Sequence, residues 1–317
     1  MTATETTFDF DPFDPAYWDD PYPSYEVMRA EHPVFCRPNG VGRMWPHYWM
    51  LSRAADVNAA LADWRTFSSA SGVLVDTGPP AGTTHGGLLF DADPPRHDEV
   101  RALLMRVLTT PRIGSLEPHV RAYAQELVAE YGPEGAFDAS TGFGQLIPTI
   151  TMCALLDLPT SERAQFLKWN LDTLGGNDFQ SEQAQTAWGE MAAYWVDIVR
   201  ERRKKPGTDL ISLLIQAQDA GTVPLADDEL SSMIGLLHDA SQNTTMNMLT
   251  LTVVALGKFP DQRRRLADEP DLWPRAIEEL LRYISPVQGL ARNTTRDVTL
   301  HGVTIPEGDQ VLSLIHI

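Results

Sequence analysis

The sequence predicts a mainly α-helical fold, a helical bundle with small β elements, and three observations carry that expectation. Apolar residues recur at helical spacing in successive segments from residue 96 onward. One of these segments, residues 227–257, keeps that spacing over about 30 residues and is the longest. Strand-like runs are short and lie near the two ends of the chain, at 34–37, 48–52, 298–300, 303–305 and 311–314.

Each element has a local reason. The Asp- and Pro-rich lead-in from Phe8 to Pro15 reads as extended chain. A helix is expected over 23–31, opened by Pro23, whose missing N–H costs nothing at the start of a helix. The first two strands follow, separated by a Gly-containing loop, and then a helix over 54–62. Residues 67–87 form a long loop rich in Gly, Pro, Ser and Thr, a kind that is usually functional or disordered inside a compact domain. Pro94 and Pro95 stop extended structure, and helices are expected over 97–108, 116–131, 144–156, 161–174, 181–203 and 209–218. Arg202, Arg203, Lys204 and Lys205 close one of them, where cations suit the negative end of the helix dipole. After 227–257, Pro260 opens a short helix and Pro274 another that runs to Ile284, ahead of Pro286. The last strands are joined by turns, and the chain shows no internal repeat.

With 317 residues, 43% of them hydrophobic, the chain can bury a large core. Its 43 Asp and Glu outweigh 25 Lys and Arg for a net charge of −18, which repels phosphate backbones and argues against a nucleic-acid partner. The first ten residues lack the basic-then-apolar pattern of a secretory signal, and the longest apolar stretch, at 248–257, is too short to span a bilayer. Cys36 and Cys153 fit no metal spacing, and both are expected to be small buried hydrophobes. The expectation is an acidic, cytoplasmic, monomeric protein without a membrane partner.

Three motifs carry chemistry. The long helix contains a polar island, from His238 to Thr245, inside an otherwise apolar run. So many hydrogen-bonding side chains in a core helix serve either a site or a wet face, and both readings stay open on composition alone. Glu279 and Arg282, three apart, share a helix face and can pair. His97 and Arg101, four apart at a helix start, can address one anion.

In order and separation these motifs resemble those of the bacterial cytochromes P-450. The segments that carry the resemblance are Leu89-Phe-Asp-Ala-Asp-Pro-Pro-Arg-His97, the helix ending in Thr244-Thr245, Ala276-Ile-Glu-Glu-Leu-Leu-Arg-Tyr-Ile-Ser-Pro-Val287, Arg292, and Gly302-Val-Thr-Ile-Pro-Glu-Gly308. The resemblance runs from about Asp14 to Val311 and implies a single domain over residues 1–311. It implies heme b as cofactor and a reaction that inserts one oxygen atom of O2 into a small, mostly apolar organic substrate. Two electrons would come from NAD(P)H through a ferredoxin or similar donor, docked on a locally basic face for which Arg101, Arg106 and Arg112 are candidates. Thr244 would hydrogen-bond the dioxygen and help deliver protons, with Asn243 beside it. Ala240 and Ser241 would leave room for oxygen. His97, Arg101 and Arg292 would bind the heme propionates by strong charge-assisted bonds. Glu279 and Arg282 would form a structural pair. Val73, Leu171, Leu237, Val287 and Leu290 would shape the substrate pocket.

The sequence departs from the family at two places. Asn243 stands where relatives carry an acid, and an amide cannot titrate. Proton delivery is then expected to rely on water held by Asn243 and Thr244, with help from Asp239, and Asn243→Asp should raise the product formed per NAD(P)H consumed. The second departure is the iron ligand: the family's Phe-Gly-x-Gly-x-His-x-Cys loop is absent, neither cysteine can be carried over as its ligand, and no metal ligand is assigned. Residues 312–317, Leu-Ser-Leu-Ile-His-Ile, can be encoded as CTG-TCT-CTT-ATA-CAC-ATC, the mosaic end of transposon adapters used for sequencing libraries. They are expected to be a translated adapter, and the chain is expected to be a truncated, heme-poor and inactive form that exposes apolar helix faces around Leu236 and Leu281. A non-catalytic, heme-less relative is favoured by the missing cysteine and opposed by His97, Arg101, Thr244 and Arg292. A magnesium-dependent terpenoid cyclase would need aspartate clusters, and Asp227-Asp228-Glu229 only begins to resemble one.

Overall fold

Short β-rich segments from the two ends of the sequence meet in one sheet. The computed structural model describes residues 8–12, 14–17, 20–38, 45–75, 88–173, 181–221 and 225–314. They fall into two compact units, Met1–Pro94 with Val287–Ile317, and Pro95–Pro286.

The first unit opens with α1 (Tyr22–Glu31), followed by β1 (Val34–Pro38), β2 (His47–Leu51), α2 (Ala54–Ala62) and β3 (Phe67–Ser68). The C-terminal segment adds β4 (Gly289–Thr294), β5 (Val298–Leu300), β6 (Val303–Ile305) and β7 (Gln310–Leu314). The five-stranded sheet has the order β1-β2-β7-β4-β3, and only the β2–β7 pair is parallel. Val34, Leu51, Val57, Ala60, Phe67, Ile305 and Val311 make one core of this unit, and Phe10, Tyr25, Met28, Tyr48, Met50 and Leu312 a second. Leu312–Leu314, at the start of the segment read as adapter, therefore continue β7; residues 315–317 lie outside the described residues. β5 and β6 form a separate hairpin. Its two turn residues, His301 and Gly302, have φ of 52° and 81°, the left-handed pair that lets a two-residue turn follow the strand twist.

The second unit is helical: α3 (Arg96–Val107), α4 (Thr110–Gly114), α5 (Glu117–Tyr131), a π-helical turn at Ser140–Gly144, α6 (Leu146–Leu156), α7 (Arg163–Thr173), α8 (Glu182–Lys204), α9 (Leu210–Asp219), α10 (Asp227–Lys258), α11 (Pro260–Asp268) and α12 (Trp273–Ile284). Starts are fixed by side-chain caps where the sequence supplies them. Ser181 accepts from Ala184 N–H and Asp209 from Ser212 N–H. At the head of α10 the Glu229 carboxylate reaches back to Ala226 N–H at 2.8 Å and also holds Arg96 at 2.6 Å. α10 packs against α6, α8, α12 and the π-helical turn. Two close approaches need glycine. A Cβ at Gly235 would stand 3.0 Å from the Trp195 ring, and one at Gly144 2.5 Å from the Thr250 hydroxyl.

The expected helices and strands recur within a few residues of their predicted ends. Four of the elements named above were not foreseen: β3, which takes the first two residues of the expected 67–87 loop by pairing with β4, the short α4, β4 and the π-helical turn. Gly-Leu-Ala-Arg-Asn-Thr of β4 has no apolar alternation, and its strand conformation comes from pairing with β7 on one side and β3 on the other. Cys153 is buried as expected, but Cys36 is exposed, a correction explained by its place on β1, the edge strand.

Candidate active site

The polar island of α10 separates into two faces. At about 100° per residue, Leu237, Ala240, Ser241 and Thr244 fall on one stripe. His238, Asp239, Gln242 and Asn243 fall on the neighbouring side, so Asn243 and Thr244, adjacent in sequence, point in different directions.

On the first stripe the hydroxyls turn back onto their own helix. Thr244 Oγ1 donates to the Ala240 carbonyl at 2.6 Å, and Ser241 Oγ to the Leu237 carbonyl at 2.7 Å and the His238 carbonyl at 2.9 Å. Such bonds satisfy the side chains without reaching outward, and they loosen the backbone ladder of the helix. Leu237, Ala240, Ser241 and Thr244 are all half-buried. The result is a low, half-buried stripe of small and hydroxyl side chains, with a hydroxyl that can exchange its backbone acceptor for a ligand.

The other side is buried. His238, Asp239 and Gln242 are each at least 97% buried. His238 Nδ1 lies 3.3 Å from Asp239 Oδ1, and Gln242 Oε1 accepts from Thr149 of α6 at 3.0 Å. Aromatic rings enclose the imidazole: Phe166 of α7 stands at 5.3 Å and Trp195 of α8 at 5.5 Å. Burial pushes the Asp239 carboxyl above the usual carboxylate range, and the neighbouring His238 opposes that only in part. Sequence reasoning named Asp239 but missed this enclosure, because the rings come from distant helices.

The remaining candidates are placed within their own units. His97 and Arg101 both lie on α3; His97 Nδ1 is 2.9 Å from Asp98, and Arg101 is exposed. Glu279 and Arg282 of α12 form the expected pair, with bonds of 2.8 and 2.6 Å between exposed side chains. Leu171 is exposed on α7. In the other unit, Ala291 N–H donates to the Val73 carbonyl at 2.7 Å, which brings the loop carrying Val73 against the strand carrying Leu290 and Arg292. Val287, just before that strand, is exposed. Residues 76–87 and 174–180, parts of the segments expected to shape the pocket, lie outside the described residues. Arg292 is half-buried and donates to its neighbour's carbonyl, Ala291 O, at 2.7 Å. Burial lowers its guanidinium pKa, with Asp93 opposing. A desolvated guanidinium held by a carbonyl suits an incoming carboxylate, the chemistry of a heme propionate.

The acidic start of α10, weighed as a metal motif, is engaged in structure: Asp227 pairs with Arg203 at 2.5 Å and Glu229 with Arg96. Among the described residues no group of three or more His, Cys, Asp or Glu side chains could hold a metal ion.

Comparison with known proteins identifies the family of the chain. The cytochrome P-450 family model matches residues 166–317. The vitamin D(3) 25-hydroxylase of Pseudonocardia autotrophica is 34% identical over 317 residues, covering 98% of this chain and 77% of the relative. Cytochrome P-450 130 of Mycobacterium tuberculosis is 36% identical over 309 residues, covering 94% and 74%. Among solved structures, the Bacillus subtilis bacillaene polyketide synthase cytochrome P-450 PksS superposes with a TM-score of 0.86 at 27% identity, covering 97% of this chain and 78% of that one. The chain belongs to the cytochrome P-450 family. Heme is the cofactor of that family and monooxygenation its activity class. Among the described residues no helix is long and apolar enough to cross a membrane.

Proposed function

We propose that this protein oxygenates a small, mostly apolar organic molecule, drawing two electrons from NAD(P)H through a ferredoxin or similar donor, as a cytoplasmic monomer. The observation that carries the reading is the stripe Leu237, Ala240, Ser241 and Thr244, where small side chains and inward-folded hydroxyls leave one face of a long core helix low. Bound heme supplies the activation of O2. The net reaction consumes O2, two electrons and two protons, releases one water and puts one oxygen atom into the substrate.

The residues have separate tasks. Arg292 would hold a heme carboxylate, and so would His97 and Arg101; a charge-assisted bond to a half-buried guanidinium is of the stronger kind. Thr244 Oγ1 would exchange the Ala240 carbonyl for dioxygen or water. Ala240 and Ser241 keep the helix surface low enough for a diatomic ligand. Asn243 orients water but holds no titratable proton. Val73, Leu171, Leu237, Val287 and Leu290 offer apolar surface to the substrate, and the polyketide and vitamin D names of the relatives fit that class. Glu279 and Arg282 are structural and touch no reactant.

The test is heme binding followed by the Soret absorbance. Arg292→Leu should weaken heme affinity about tenfold, one lost charge-assisted bond of roughly 1.4 kcal/mol. Equal affinity in the two proteins would remove Arg292 from the site.

A further inference from the structure

Buried polar atoms without partners gather at one place in the helical unit. Four of them, His238 Nε2, Asp239 Oδ2, Gln242 Nε2 and Asn243 Nδ2, fall within two turns of α10, and Trp195 Nε1 of α8 joins them. Each such atom left bare costs about 1–3 kcal/mol, so a set this dense marks a place where ordered water is held. The set contains acceptors as well as donors: a carboxyl oxygen, an imidazole nitrogen, two amide N–H2 groups and an indole N–H.

The oxygenation proposed above needs protons delivered inside the protein, and the inference that follows rests on that reading. Asn243 holds none. Asp239 is one turn away on the same side of the helix, bonded to an imidazole and buried. We propose that Asp239 and His238 form a buried acid–base pair that stores the proton consumed at Thr244, linked to it by water held on the amides of Gln242 and Asn243. In the step, the Asp239 O–H bond breaks and its proton passes to the bridging water. That water gives a proton to Thr244 Oγ1, which releases its own into the site. The carboxylate left behind takes up a proton from bulk solvent, relayed by the water of the cluster to His238 Nε2 while Nδ1 passes its own to Asp239 Oδ1, so the imidazole ends neutral with its hydrogen on the other nitrogen. No electrons move within the pair.

Burial supports the store, because it holds the Asp239 carboxyl protonated to higher pH than an exposed aspartate, with the neighbouring His238 opposing in part. Other ionisable groups on the packed helices are committed elsewhere. Tyr194 of α8 donates to Glu162 at 2.5 Å, Glu190 accepts from Trp169 at 2.9 Å, and burial pushes the Cys153 thiol of α6 up to about 11.

Two readouts test the pair. Infrared spectra recorded against pH should contain a protonated-carboxyl stretch that persists to higher pH than that of an exposed aspartate, is missing in Asp239→Asn and is shifted in Asp239→Glu. In the heme-loaded protein, Asp239→Asn should lower product formation on the order of 100-fold, as loss of a general acid does, and Asp239→Glu should restore most of it. A band that disappears in the pH range of an exposed aspartate, or Asp239→Asn turning over like wild type while Thr244→Ala loses product, overturns the pair and leaves the oxygenase reading standing. If Thr244→Ala also turns over like wild type, the oxygenase reading of the site falls, and the pair with it.

Discussion

The middle of α10 and the Glu279–Arg282 pair of α12 are both short polar motifs on helices of the same unit, and they differ in every physical respect. The α12 pair is exposed and fully satisfied by two hydrogen bonds. The α10 cluster is buried and leaves several polar atoms unpaired. Water screens the first and competes for its bonds, so its contribution to stability is small. The second costs stability unless something polar fills it. A native fold keeps such a cost where function needs the groups. The lesson is that polarity in a sequence motif says little until burial is known: the same residue types make a solvated clasp in one helix and a reactive interior in the other.

The comparison can be strained from the buried side first. Trp195, 1% exposed, packs against His238 and Gly235. Trp195→Ala should destabilise the protein by about 3–5 kcal/mol, measured by denaturant unfolding. A loss no larger than that of a surface substitution would mean that the enclosure of His238 is not formed.

Asp239→Asn gives a smaller effect with a defined sign. Burial raises the folded-state carboxyl pKa above its unfolded value, so the stability contributed by the protonated group is complete below about pH 3.9 and is lost as pH rises through the raised folded value. The amide cannot ionise. The variant should therefore lack this alkaline-side loss and match or exceed wild-type stability near neutral pH. Unfolding midpoints recorded against pH for both proteins check this, and parallel curves would contradict it.

The smallest effect belongs to α12. Glu279→Gln removes the bidentate partner of Arg282, yet both groups face water. The unfolding midpoint of this chain should hardly move, and what movement there is should vanish in high salt. A large, salt-insensitive loss would show that the pair is enclosed in the working protein.

Much of this was legible in the sequence. Apolar spacing located α10 as 227–257 against Asp227–Lys258 in the structure, because a long periodic helix is specified by its own pattern. The hairpin of β5 and β6 was legible from its turn chemistry. β4 was not, since pairing on both edges, rather than its own residues, makes it a strand. The site was legible as a list of residue types, but not as two faces with opposite surroundings. Thr244 and Asn243 look like one unit when written side by side, and helical geometry turns them about 100° apart. The enclosure of His238 depends on Phe166 and Trp195, whose approach no local pattern encodes. The exposure of Cys36 depends on β1 being an edge strand, which is a property of the whole sheet.

The most direct test of the account is the yield of oxygenated product per NAD(P)H consumed by heme-loaded protein that carries the family's cysteine loop, compared between wild type and Thr244→Ala. The account predicts that the variant keeps consuming NAD(P)H while its product yield falls severalfold, because the hydroxyl that accepts and passes the proton is gone. An unchanged yield would contradict the assignment of the Leu237, Ala240, Ser241 and Thr244 stripe as the oxygen-binding face.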